Sequence, residues 1–201
     1  MNAPMEKAVL PPLPKGDRNM NPPGLSLWAL WREDLCTHDG NPFEQGFWAV
    51  AVHRFGNWRM SLRWKFARAP MTLLYLFLFK FVEWTCGITL PYTVALGRRV
   101  RLWHHSGMIL HARSIGNDVH IRHNTTFGIV RRGENEAIPI IGDRVDVGCG
   151  VSILGAVTVG DDSVVGAHAV VLDSIPPGGV AVGVPAKVIK VLAPRMIRPI
   201  A

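Results

Sequence analysis

The chain has 201 residues, 48% of them hydrophobic, and a formal net charge of +7. That apolar content supports a real core and excludes global disorder, while the length allows one large domain or two modest ones. The cations are spread along the chain without a nucleic-acid-binding module. Nucleic acid is therefore not expected as a partner, and a phosphate-rich ligand or an anionic membrane fits the charge better.

Residues 1–25 hold Pro4, Pro11, Pro12, Pro14, Pro22 and Pro23 and no apolar run. They read as a disordered tail lacking the apolar core of an export signal. Cys36, Cys86 and Cys149 have no paired or metal-like spacing and read as reduced thiols of a cytoplasmic protein. Residues 26–88 read as a helical region. Trp28 and Trp31 stand at i, i+3, PFEQGFWAVAVHRFGNW continues the helical spacing, and MTLLYLFLFKFVEW follows Pro70. Lys80 and Glu83 interrupt that last run, which falls short of the roughly 20 apolar residues that a membrane span needs. A helix buried against the next domain is expected. The alternative is an interfacial helix at the inner face of a membrane, because RMSLRWKFARAP mixes cations with aromatics that suit anionic headgroups.

From Ile141 an aliphatic residue recurs at every sixth position: Ile141, Val147, Ile153, Val159, Val165 and Val171. Gly142, Gly148, Gly160 and Gly166 directly follow four of them. A period of six fits neither an α-helix nor a simple strand, but it fits a parallel β-helix whose hexapeptides each make one side of a coil. Leu96, Leu102 and Met108, then Ile115, Ile121 and Phe127, extend the register upstream, with one extra residue between Met108 and Ile115. Residues 128–139, centred on RRGENEA, read as a loop thrown out of the coil. The expected fold is α+β: the helical region, a left-handed parallel β-helix of hexapeptide repeats over residues 89–192, and a tail over 193–201.

Five histidines, His104, His105, His111, His120 and His123, lie close together in the chain. If Leu102 and Ile121 are one coil apart, His104 and His123 stack on successive coils about 5 Å apart. Trimeric β-helices use histidines either to hold a metal between subunits or as the base in acyl transfer from coenzyme A. The metal-binding examples carry two histidines five apart on one coil, whereas His120 and His123 are three apart, so no metal is expected. Acyl transfer needs only a base for the attacking hydroxyl and a means of holding both reactants, and histidine titrates near the working pH.

LWHHSG, GAHAVV and PPGGVAVGVPAKVIK resemble the serine acetyltransferase branch of the hexapeptide acyltransferases. LGRRVRLWHHSG and the later IRH are more similar to its exopolysaccharide members, such as the colanic acid biosynthesis acetyltransferases. REDLCTHDGNP and FWAVAVHRFGNW echo the branch's acidic motif and its Arg-aliphatic-Gly helix, so the resemblance runs from about residue 30 to 192. It implies His104 as catalytic base, His105 as the fallback and His123 as partner. It puts the acid of the helical motif on Asp39, which equally suits a turn in DGNP; Arg122, in the IRH match, and Arg131, in the loop over the acceptor, are further candidate acceptor contacts. Acetyl-CoA would run past the corner residues Gly148, Cys149, Gly150, Gly166 and Ala167. Lys187 and Lys190, on a terminal helix, would meet its phosphates. Two departures stand out: Thr89 replaces the acid that serine enzymes carry before the base, and Ile138 falls within their Arg-His-Pro motif. The expected activity is therefore acetyl-CoA-dependent O-acetylation of a small-molecule or lipid-linked saccharide by a homotrimer. Serine O-acetylation is the alternative, and a non-catalytic or metal-binding scaffold is the third reading.

Overall fold

The computed structural model describes residues 12–193. Of the tails expected at residues 1–25 and 193–201, residues 1–11 and 194–201 lie outside the described residues, and 12–25 are ordered rather than disordered. Residues 12–25 run along the helical region: the Met20 N–H donates to Asn57 Oδ1 at 3.1 Å, and Asn21 Nδ2 donates to the Arg54 carbonyl at 2.9 Å.

Three helices follow: α1 (Leu27–Thr37), α2 (Gln45–Trp58) and α3 (Lys65–Cys86), with a 3-10 turn at Arg59–Ser61. Ser26 caps α1 through its hydroxyl, which accepts from the Ala29 N–H. Nearly all of α2 is buried. Two glycines allow its close approach: a Cβ on Gly46 would meet the Leu102 carbonyl oxygen at 2.4 Å, and one on Gly56 the Tyr75 ring at 2.5 Å. α3 begins ahead of Pro70 and buries Tyr75, Val82 and Cys86, while its outer face remains exposed. That corrects the expectation of a buried helix. No helix among the described residues is long and apolar enough to cross a membrane.

Residues 88–191 wind into the expected parallel β-helix with three sheets. The first stacks β1 (Ile88–Thr89), β4 (Met108–Leu110), β7 (Thr126–Gly128), β10 (Ser152–Leu154) and β13 (Val170–Val171). The second holds β2 (Ala95–Leu96), β5 (Ser114–Ile115), β8 (Ile140–Ile141) and β11 (Thr158–Val159). The third runs β3 (Arg101–Trp103), β6 (His120–Arg122), β9 (Asp146–Val147), β12 (Val164–Val165), β14 (Gly179–Val182) and β15 (Lys187–Val191). Every residue of the six-residue register from Leu96 to Val171 is buried, and Val94, Val100, Val119, Val145, Val151, Val157 and Ala169 form a second inward set two positions earlier. At the corners, Asn117, Asp143 and Asp161 follow glycines and reach from coil to coil. The Arg98 N–H donates to Asn117 Oδ1 at 2.9 Å, that of Asn117 to Asp143 Oδ1 at 2.7 Å, and that of Asp143 to Asp161 Oδ1 at 2.9 Å.

Two expectations of register and form change. Leu102 pairs with Ile121, but Phe127 pairs with Leu110 rather than Met108. The corner after Leu102 thus takes eight residues where the next coil takes six, and Leu110 to Ile115 takes five. Lys187 and Lys190 lie on β15, antiparallel to β14, not on a terminal helix. Pairing with β14 gives the last segment backbone partners that an isolated helical turn would lack.

Candidate active site

The enlarged corner after β3 carries the histidine motif. Its backbone is tied to the end of α3, with the Ser106 N–H donating to the Cys86 carbonyl at 2.9 Å and the Met108 N–H to the Gly87 carbonyl at 3.0 Å. Gly107 has a left-handed φ of 67°, and a Cβ there would stand 2.2 Å from Asn124 Oδ1. Glycine takes that φ without strain and leaves room for the Asn124 side chain on the next coil.

His104 is exposed, with a left-handed φ of 63°. Its ring lies edge-on to that of His123, with centroids 5.6 Å apart and planes at 72°. The rings meet because β3 and β6 are in register. His123 Nδ1 is buried and has no hydrogen-bond partner among the described residues. A polar atom with unused capacity therefore sits beside an exposed imidazole. His105, also exposed, makes no ring contact or hydrogen bond among the described residues.

Asp39 follows α1 and forms a bidentate pair with Arg101. That hydrogen bond holds its carboxyl below the usual aspartate range. The Arg101 guanidinium lies 3.6 Å from the Trp103 ring centroid, and the Trp103 indole N–H donates to His120 Nδ1 at 3.0 Å. His38 anchors α1 to the coil. Its Nδ1 donates to the Asp34 carbonyl at 2.7 Å, and its Nε2 accepts from the Leu102 N–H at 3.4 Å. This pattern requires a neutral ring, and burial lowers its pKa.

Arg122 precedes His123 and pairs with Asp146. Arg131 is exposed in the excursion loop. The loop is held by turns, with the Ala137 N–H donating to the Glu134 carbonyl at 2.8 Å, and by Arg113, which donates to the Glu136 carbonyl. Ile138 lines a groove of about 410 Å³ with His111, Thr126 and Asn135.

Cys149 and Ala167 continue the His104–His123 column on the next two coils, because Ile121 pairs with Val147 and Val147 with Val165. Gly148 and Gly166 lie one residue before them, and Gly150 has a left-handed φ of 68°. A Cβ on Gly148 would meet the Ala167 nitrogen at 2.6 Å, so backbone lines this edge. Lys187 and Lys190 extend from β15, five strand spacings or about 24 Å from β3. Lys187 Nζ lies 3.6 Å from Asp173 Oδ2.

Sequence reasoning missed two features. Thr89 Oγ1 donates to Glu83 Oε1 at 3.1 Å, so a carboxylate stands against the position where one seemed lost. The Arg101–Trp103–His120 cluster next to His104 was also missed, although alternation along RLW and HIR already put these side chains outward.

No family model matches the chain. The serine acetyltransferase of Mycobacterium tuberculosis (strain ATCC 25618 / H37Rv) is 35% identical over 146 residues, 72% of this chain and 60% of that one. That of Helicobacter pylori strain J99 is 40% identical over 104 residues, 51% of this chain and 61% of that one. The soybean serine acetyltransferase complexed with serine superposes with a TM-score of 0.69 at 30% identity, covering 82% of this chain and 70% of that one. The chain belongs to the serine acetyltransferase branch of the hexapeptide acyltransferases. This member spans about 60% of the length of the Mycobacterium and Helicobacter relatives. A serine acetyltransferase from Brucella abortus strain S19, in complex with coenzyme A, shares its fold with a TM-score of 0.71 at 22% identity, covering 90% of this chain and 81% of that one.

These matches overturn the expectation of a saccharide acceptor, since the relatives are serine acetyltransferases. Thr89 and Ile138 carried too much weight in that expectation. The first keeps a carboxylate close through Glu83, and the second is one position in a long similar stretch.

Proposed function

We propose that this chain is an acetyl-CoA-dependent serine O-acetyltransferase with His104 as its general base. The observation that carries the reading is the His104–His123 pair, ring centroids 5.6 Å apart between the enlarged corner and the next coil of a β-helix of the serine acetyltransferase branch. A ring nitrogen of His104 takes the proton from the serine hydroxyl as its oxygen attacks the thioester carbonyl carbon. The carbon–sulfur bond then breaks, and His104 returns the proton to the departing thiolate, so no acyl-enzyme forms. His123 flanks the base and restricts its ring.

Asp39, kept ionised by Arg101, and the exposed Arg131 supply charges opposite to those of the amino acid's ammonium and carboxylate groups. The donor would follow the small-residue edge at Gly148, Cys149, Gly150, Gly166 and Ala167, with its phosphates toward Lys187 and Lys190. With acetyl-CoA as donor the reaction belongs in the cytoplasm. A homotrimer is part of the reading, because His104 is exposed at a corner that a neighbouring copy would cover.

Thiol release from acetyl-CoA, measured with and without L-serine, tests the proposal. Serine-dependent release that His104→Ala abolishes is expected. No release with serine, despite a thermal shift on adding coenzyme A, would overturn the acceptor; absence of that shift would overturn the donor.

A further inference from the structure

We propose that the outer face of α3 docks on an anionic lipid surface, holding the enzyme at a membrane without spanning it. The 22 residues of α3 extend about 33 Å. Phe66, Leu73, Phe77, Phe81 and Trp84 share one side at helical spacing, and Phe66 and Trp84 are 92% and 82% exposed. The opposite side already buries Tyr75, Val82 and Cys86. A helix apolar on both sides has a second surface to cover. Between Phe81 and α2 the face also opens into an apolar groove of about 330 Å³ lined by Trp48, Leu78 and Thr85.

Charge selects the occupant. From Glu44 to Glu83 the chain contains no acidic residue, whereas Arg54, Arg59, Arg63, Lys65, Arg68 and Lys80 all fall in this interval. Arg54 is buried against Asp34, and Arg59 lies over the Tyr75 and Tyr92 rings. Arg63 and Lys65 are exposed beside Trp64 and Phe66 at the start of α3 and have no ion partner among the described residues. Cations next to aromatics, followed by an apolar helix face, match the layering of an anionic headgroup region over acyl chains. A second copy fits less well. Antiparallel pairing would bring these cations to the partner's Glu83 end, where that carboxylate is already engaged by Lys80 and Thr89. Parallel pairing would set cation against cation.

The test is flotation of the full chain with vesicles of phosphatidylcholine alone or mixed with phosphatidylglycerol, at low and at high salt. Binding to the mixed vesicles only, weakened by salt, is expected. Arg63→Glu with Lys65→Glu should lower affinity by a factor on the order of 30 or more. Phe77→Ser with Trp84→Ser should abolish binding while the thermal midpoint holds, since both side chains are exposed. No flotation, or equal flotation with both vesicles, overturns the proposal. A fall in light-scattering mass in Phe77→Ser with Trp84→Ser, without vesicle binding by the parent chain, would assign the face to a second copy instead.

Discussion

His104 and His123 come from different coils, and their 5.6 Å contact exists only because Leu102 pairs with Ile121. That pairing was legible in the chain, since the interval between two inward aliphatics counts coils. The choice between His104 and His105 was not, because adjacent residues in a corner have no periodicity to separate them. In the structure His104 has a ring contact with His123 and His105 has none among the described residues, and the proposed role of His104 follows that contact. His104→Ala should lower turnover with acetyl-CoA and L-serine by a factor on the order of 100 or more, with the coenzyme A thermal shift kept. His105→Ala should retain most of the activity, and the reverse result would move the base by one residue. Glu83 was hidden for a different reason. A helix-terminal carboxylate meets a strand hydroxyl at Thr89 only after the left-handed turn at Gly87 reverses the chain.

Among the elements, α2 connects the helical region to the coil through Arg54. Its Nε donates to Asp34 Oδ2 at 3.0 Å with both side chains fully buried, and its Nη1 donates to the Leu96 carbonyl at 2.9 Å. Burial raises the Asp34 pKa, and the charge of Arg54 opposes that rise. Arg54→Leu would leave the carboxylate buried without its partner and should cost about 3–5 kcal/mol in denaturant unfolding. Adding Asp34→Leu should recover part of that loss, with the carbonyls of Leu96 and Gly97 still lacking their donor. A double variant no more stable than Arg54→Leu would show that the carbonyl contacts dominate. The motif around Arg54 was visible as a resemblance, but its partner on α1 depends on how the two helices cross. The last segment failed as a helix for a related reason: PAKVIK becomes β15 because the exposed edge of β14 offers it a ladder.

For the whole molecule, pH reports how firmly the helical region is seated on the coil. Burial pushes His53 down to about 3 and lowers His38 and His120 from the ordinary histidine range. Below pH 6.5 the unfolded chain takes up protons that these folded rings refuse. The unfolded state then binds more protons, so stability is full above that pH and declines as the pH falls. His53 alone should cost about 2 kcal/mol between pH 6.5 and pH 5, and His38 adds to this because protonation breaks its bond from Leu102. Thermal midpoints compared at about pH 7.5 and about pH 5 should show the fall, and level midpoints would contradict the burial. The sequence by itself determined the coil, its inward residues and the histidines brought together on successive coils, because a repeating core contact recurs at a fixed chain interval; its motifs carried the resemblance to the serine acetyltransferase branch, while the closer likeness to exopolysaccharide members did not hold. The tertiary structure alone decided the eight-residue corner, the carboxylate beside Thr89 and the bare face of α3. Each of these depends on which surfaces meet, and distance along the chain does not encode that.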